Sequence, residues 1–383
     1  MGMTSKRYRS MIIGITGWSA GRIHHGGSYM YLPNRKLLAM IGATAAAVGS
    51  TALLAAPAQA ATVGSAKVDA YGAVSFVAGS GKANGLTITA SGQTVTLDDL
   101  VAIKAGAGCA AVAGDKTKVT CTAAKIGPLS VDLGDKNDWV KNKTSINLSA
   151  NGGAGNDKIW GGSSNDNLVG GTGNDTIYGG AGGEIIYGNS GNDVVYGGAG
   201  PDNVSGGTGN DKIYGQDGDD QVYGGSGADL INGAAGRDRL HGGAGADKIY
   251  AGAGTGTATE FGDQVWGDSG NDKIYGEAGD DEINAGSGND IVDAGSGDDG
   301  VLGQSGNDTI NGGSGDDLLA GENIDNQLKA TGSSKAKDKL TGGSGVDLCL
   351  VLKSGKASCE YKSFQDYIGN LSVTRAAIIG RLG

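Results

Sequence analysis

One nine-residue phrase governs this chain. Gly206–Tyr214 reads GGTGNDKIY, and close variants stand before and after it. Counted in nines from Gly152, eleven frames run unbroken to Tyr250, six run from Gly267 to Ala320, and one occupies 342–350. Of these 18 frames, 17 carry Gly at position 4 (Ser164 excepted) and 17 carry Asp at position 6 (Glu184 excepted). At position 8, 17 carry Ile, Leu or Val, with Cys349 the exception. An irregular unit at 251–266 and a longer interruption at 321–341 separate the blocks. Three columns held over so many frames exclude an unstructured glycine-rich linker, which has no reason to keep an aliphatic residue in phase. Collagen is excluded too, because its glycine recurs every third residue.

The columns have a direct physical reading. An apolar residue flanked by outward-facing neighbours marks a short strand with one buried position. Glycines at positions 1, 2 and 4 allow backbone angles that other residues avoid, so the other six residues make a tight turn. A single turn-plus-strand unit buries almost nothing, whereas stacked copies bury a continuous aliphatic seam, with rungs ~4.8 Å apart. Stacking also aligns the acids. Two bare carboxylates at that spacing repel by about 3–4 kcal/mol at an effective dielectric near 20. A column of them therefore calls for cations. Carboxylates and turn carbonyls form an all-oxygen ligand set, which suits Ca2+ better than the rigid octahedron of Mg2+.

The pattern G-G-x-G-x-D-x-U-x resembles the calcium-binding repeats of the repeats-in-toxin (RTX) family over about 152–350. The resemblance implies an all-β fold: a right-handed parallel β-roll with two nonapeptides per coil, carrying a small β-rich N-terminal domain or cap. It also implies multiple Ca2+ ions held between neighbouring turns by position-6 carboxylates and turn carbonyls. Carried over residue by residue, the ligand candidates are Asp157, Asp166, Asp175, Asp193, Asp202, Asp211, Asp220, Asp229, Asp238 and Asp247. The second block adds Asp272, Asp281, Asp290, Asp299, Asp308 and Asp317, and Asp263 ends the irregular unit in phase. Asp347 stands in an isolated frame. Glu184 has a longer arm, which puts the sites it shares in question, and Ser164 must replace a turn glycine at the expense of strain.

The flanks read differently. Arg35 and Lys36, the apolar run Leu37–Ala56 and the sequence PAQA form a secretory signal with a cut after Ala60. Met30 is the better start for such a signal. The mature chain is then secreted, extracellular or wall-associated, without a membrane anchor. Residues 61–125 carry strand signals (AVSFVAG, then LTITASGQTVTL with a turn at Ser91–Gly92), and 126–350 form the roll. LSVDLGDKNDWV is a degenerate frame with Asp138 at position 6 and Val140 at position 8. Residues 351–383 form a disulfide cap and tail. Four cysteines in an exported chain suggest disulfides. Local spacing makes Cys109–Cys121 and Cys349–Cys359 the natural pairs among three connectivities.

Chemistry other than metal binding finds little support. All six bases of the first 60 residues are unopposed there, which leaves 24 bases against 41 acids in the remainder. Such a surface repels nucleic acid and anionic membranes. No H-E-x-x-H occurs, and the one histidine after residue 60, His241, sits at an outward position 9 as a surface residue. The expected function is that of a secreted, non-enzymatic calcium-binding protein. The alternative is a surface-adhesion or glycan-binding module using the roll as a platform. Position 9 is often aromatic: Trp160, Tyr178, Tyr196, Tyr214, Tyr250 and Tyr275 on one side, Tyr187, Tyr223 and Trp266 on the other. A cross-strand ladder that stabilises the sheet is the preferred reading of these rings over a sugar-binding surface.

Overall fold

A computed structural model describes residues 63–253, 262–324, 330–331, 337–350 and 356–359. The signal segment, the middle of the irregular unit and the tail beyond 359 lie outside these residues. The described chain is all strand and turn, wound into a parallel solenoid of about 11 turns. Two long sheets form its faces. The first has 15 strands and ends at Ile103–Ala105 and Leu348–Leu350, and the second has 16 and ends at Cys109–Val112 and Lys356–Ser358. Successive nonapeptides alternate between them, so each strand pairs in parallel with the one 18 residues on. Ile177 lies opposite Val195, for example, and Ile186 opposite Val204.

Alternation within each strand builds the core. Position 8 points inward, and from Ile159 to Leu340 these side chains are at most 3% exposed. Positions 7 and 9 face out. Cys349 takes the same inward place in the last frame, opposite Leu319. A single aliphatic per nine residues suffices because the two sheets lie close enough for the rows to meet.

The turns separate two uses of glycine. Position 2 needs a left-handed backbone whatever stands there: Asn189, Gln216, Ala234, Asp268, Glu277 and Gln304 all have positive φ, between 69° and 82°. Position 1 does not, for none of its residues has positive φ. Glycine is required there by crowding instead. A Cβ on Gly188 would lie 2.5 Å from both Asp193 Oδ2 and the Gly206 carbonyl oxygen. The sequence reading assigned all three glycine columns to backbone angle, and column 1 departs from it. Ser164 also departs from expectation, since it stays outside the left-handed region and its hydroxyl lies 3.4 Å from Asp166 Oδ1.

The N-terminal strands continue both sheets. Val74–Val77 pairs in parallel with Leu129–Asp132, and Gly85–Ser91 with Trp139–Asn142. Antiparallel strands then close the end: Gly64–Val68 on the first sheet, and Thr94–Asp98, Asp115–Thr122 and Cys109–Val112 on the second. The first hairpin turns at Gly92–Gln93, one residue later than the sequence suggested, because Ser91 still pairs with Thr94. Gly92 has φ 59°, as the first position of a two-residue hairpin requires. Both expected disulfides form; Cys109 and Cys121 lie directly opposite each other, and Cys349 joins Cys359. The segment before Cys359 does not fold over the last rung. Lys356–Ser358 adds a further parallel rung beside Lys339–Ser344.

Candidate metal ladders

The turns place the position-6 acids in two lines, one along each sheet. Along the second sheet, each Asp Oδ1 accepts a hydrogen bond from the backbone N–H of the Asp one coil earlier. Asp175 N–H donates to Asp193 at 2.7 Å, Asp193 to Asp211 at 2.8 Å and Asp211 to Asp229 at 2.8 Å. The same bond links Asp138 to Asp157, Asp157 to Asp175, Asp229 to Asp247, Asp247 to Asp272, and on through Asp290 to Asp308. Along the first sheet, Asp202, Asp220, Asp238, Asp263, Asp281, Asp299 and Asp317 are joined likewise. Leu148 N–H donates to Asp166 at the start of that line. Asp263 rejoins its line although 25 residues separate it from Asp238, so the irregular unit is an excursion of seven extra residues.

The lines extend further than the sequence reading took them. Asp347 accepts from Asp317 N–H at 3.1 Å and is fully buried, so its frame is a continuation, not an outlier. Asp338 was missed. It lies in the segment read as an interruption, yet it accepts from Asp308 N–H at 3.1 Å, and Leu340 fills the inward row two residues later. The signal was present in DKLT immediately before Gly342. A second column also went unread. Position 5 is Asn or Asp in 12 of the 18 frames. Its Oδ1 accepts the amide one coil later, as in Asn174 to Asn156, Asn192 to Asn174 and Asn210 to Asn192. Neighbouring columns therefore tie the coils together in opposite directions.

Each position-6 carboxylate thus spends one oxygen on the backbone. The other is buried and unmatched: Oδ2 of Asp157, Asp193, Asp211, Asp238, Asp281 and Asp299, among others, has no hydrogen-bond partner. The side chains themselves are at most 3% exposed. Burial without a counter-charge pushes their pKa up, to about 7 at Asp193, about 8 at Asp238 and Asp281, and about 9 at Asp299, where neighbouring Asp281 adds to the rise. Glu184 interrupts the first sheet's line. Its own N–H donates to Asp202 Oδ1 at 2.8 Å, but both of its carboxylate oxygens are buried and unmatched. Burial and the adjacent Asp202 carboxyl raise its pKa.

These residues fit a hard divalent cation. An unmatched buried carboxylate oxygen is costly unless protonated or metallated. Beside each one lie backbone carbonyls of the next coil, as at Gly188, where Asp193 Oδ2 and the Gly206 carbonyl crowd one point. Among the described residues no three acidic, histidine or cysteine side chains converge on one position. A site here has to be completed by carbonyl oxygens, which is Ca2+ chemistry.

The outward rings stack. Trp160, Tyr178, Tyr196 and Tyr214 follow one another at 5.0–5.3 Å with interplanar angles of 3–10°. Tyr250 and Tyr275 form a pair at 4.9 Å. On the first sheet His241 is sandwiched between Tyr223 and Trp266 at 4.9 and 4.3 Å. The rings within each stack cover one another's faces, leaving edges outward, which is the ladder arrangement.

A parallel β-roll with a carboxylate column on each turn edge defines the class of calcium-dependent repeat folds. The model of the RTX calcium-binding nonapeptide repeat (4 copies) matches seven overlapping segments between residues 149 and 323. Through these residues the chain belongs to the RTX family. No curated protein is similar enough to the chain to count as a match.

Proposed function

We propose that this is an exported, non-enzymatic protein whose roll folds on binding multiple Ca2+ ions outside the cell. The observation that carries the reading is the pair of continuous columns of buried carboxylates, each with one oxygen unmatched. Asp157, Asp166, Asp175, Asp193, Asp202, Asp211, Asp220, Asp229, Asp238, Asp247, Asp263, Asp272, Asp281, Asp290, Asp299, Asp308 and Asp317 would hold the ions with turn carbonyls. Asp338 and Asp347 extend this set. Bound Ca2+ supplies positive charge that the protein lacks at these points. The chain's own part is to hold each carboxylate in place through the inter-coil amide bond, and to exclude water by burying it under the turn.

Without metal, aligned carboxylates repel and glycine-rich turns lose much entropy on ordering. Binding free energy then becomes folding free energy. Affinity on the order of 10⁻⁴–10⁻³ M, typical of extracellular modules, keeps the chain unfolded during export and folds it after release. The test is circular dichroism of the full chain during a Ca2+ titration, with Mg2+ as control. The expected result is a β spectrum that appears with Ca2+ and not with equal Mg2+. A spectrum already complete in excess chelator would overturn the reading.

A further inference from the structure

The two faces of the roll differ in charge. On the second sheet, position 7 forms one outward row across the coils. Parallel pairing runs it through Lys158, Lys212, Lys248, Lys273, Lys339 and Lys356, with Thr176, Val194, Leu230, Ile291 and Thr309 between them. Lys248 and Lys273 are direct neighbours, and so are Lys339 and Lys356. The corresponding row of the first sheet carries one base, Arg239, which is hydrogen-bonded to Gln264. In a strongly acidic chain, none of the six lysines is ion-paired. Lys248 rests over the rings of Tyr250 and Tyr275 at 4.8 and 5.5 Å. The stacked tyrosines of position 9 run alongside, offering ring edges and hydroxyls.

We propose that this face is a docking track for a linear polysaccharide bearing carboxylates. The proposal rests on the calcium reading, since the track exists only in the folded roll and emerges as bound cations offset the acids. Like charges placed side by side with no acid nearby destabilise a sheet slightly, and an anionic ligand relieves that. The row is single file and straight, which matches one extended chain and not the broad patch a membrane surface requires. Single-stranded nucleic acid needs free ring faces for base stacking, and here the faces cover one another. An oxygen-rich polymer with regularly spaced carboxylates can instead meet ammonium groups and phenol hydroxyls along the row.

The test titrates full-length protein, folded in saturating Ca2+, with oligogalacturonate by calorimetry. Circular dichroism is recorded on the same samples. Binding is expected, and it should weaken as ionic strength rises. The combined K158Q, K212Q, K248Q and K273Q variant should keep its β spectrum and lose affinity by about tenfold or more. R239Q on the opposite face should bind as the unmodified chain does. A chain that calcium folds but that ignores the probe overturns the track and leaves the calcium reading standing. A chain that calcium does not fold overturns both. Undiminished binding by the fourfold variant, or tighter binding to phosphatidylglycerol vesicles or a DNA single strand, also overturns the track.

Discussion

Ala234 sits at a turn position that demands a left-handed backbone, with φ 80° and a side chain that pays for it in steric strain. Replacing it with glycine removes the clash and returns some of the gain as chain entropy. Ala234→Gly is expected to stabilise the calcium-loaded roll by about 0.5–1 kcal/mol, read as a higher thermal midpoint at fixed Ca2+. Glu184 is the other residue at which the pattern yields. Its longer arm leaves both oxygens unmatched, where an aspartate one coil on takes an amide. Glu184→Asp should restore that charge-assisted bond, with a gain of about 1–2 kcal/mol, and lower the Ca2+ concentration at half-folding. An unchanged or higher midpoint would mean that Glu184 is already adapted to its place.

The strand and its rungs are the next scale. Tyr196 contacts a ring on either side at 5.0 Å, whereas Tyr187 on the opposite face pairs with Val169 and Ser205. Each stacking contact is worth about 0.5–1.5 kcal/mol beyond area. Tyr196→Ser should therefore cost about 1–3 kcal/mol and Tyr187→Ser clearly less, by thermal unfolding in Ca2+. Equal losses would show that the rings stabilise only by covering surface. The stacks themselves were legible because position 9 is aromatic at an 18-residue spacing, and the inward row was legible because position 8 scarcely varies. Asp338 was not, because the frame that precedes it has lost its glycines and only DKL survives. The closure of the sheets by antiparallel strands at 64–68 and 94–122 could not be read either. Alternation marks a strand but does not say which neighbour it will pair with. Position 5 failed for a different cause: a polar residue in a turn looks solvated, and only the fold reveals that its oxygen reaches the adjacent coil.

At the scale of the whole molecule, protons and calcium compete for the same oxygens. The carboxyls of the metal-free roll have folded-state pKa values raised above their unfolded values, from about 6 at Asp157 to about 9 at Asp299, chiefly by burial. Groups shifted upward contribute stability that is fully present below the unfolded pKa near 4 and is lost as pH rises through the folded values. Metal-stripped protein should therefore gain β structure as pH falls from 9 toward 4. Calcium affinity should move the opposite way and weaken on acidification, since each ion must displace protons. Far-UV circular dichroism across that range, with and without Ca2+, checks both. A metal-free spectrum that is independent of pH would remove the carboxylates from the account of folding.

The offset of 18 residues between paired strands fixes how the roll responds to a pull on its two ends. Hydrogen bonds between coils point along the long axis, so tension loads them one coil after another, as in opening a zip. Every coil that gives way converts a rise of ~4.8 Å into roughly 60 Å of extended chain. Force on the tethered protein would be released in small equal steps, each of which re-forms when calcium returns, giving a spring whose stiffness is set by the ion concentration around it.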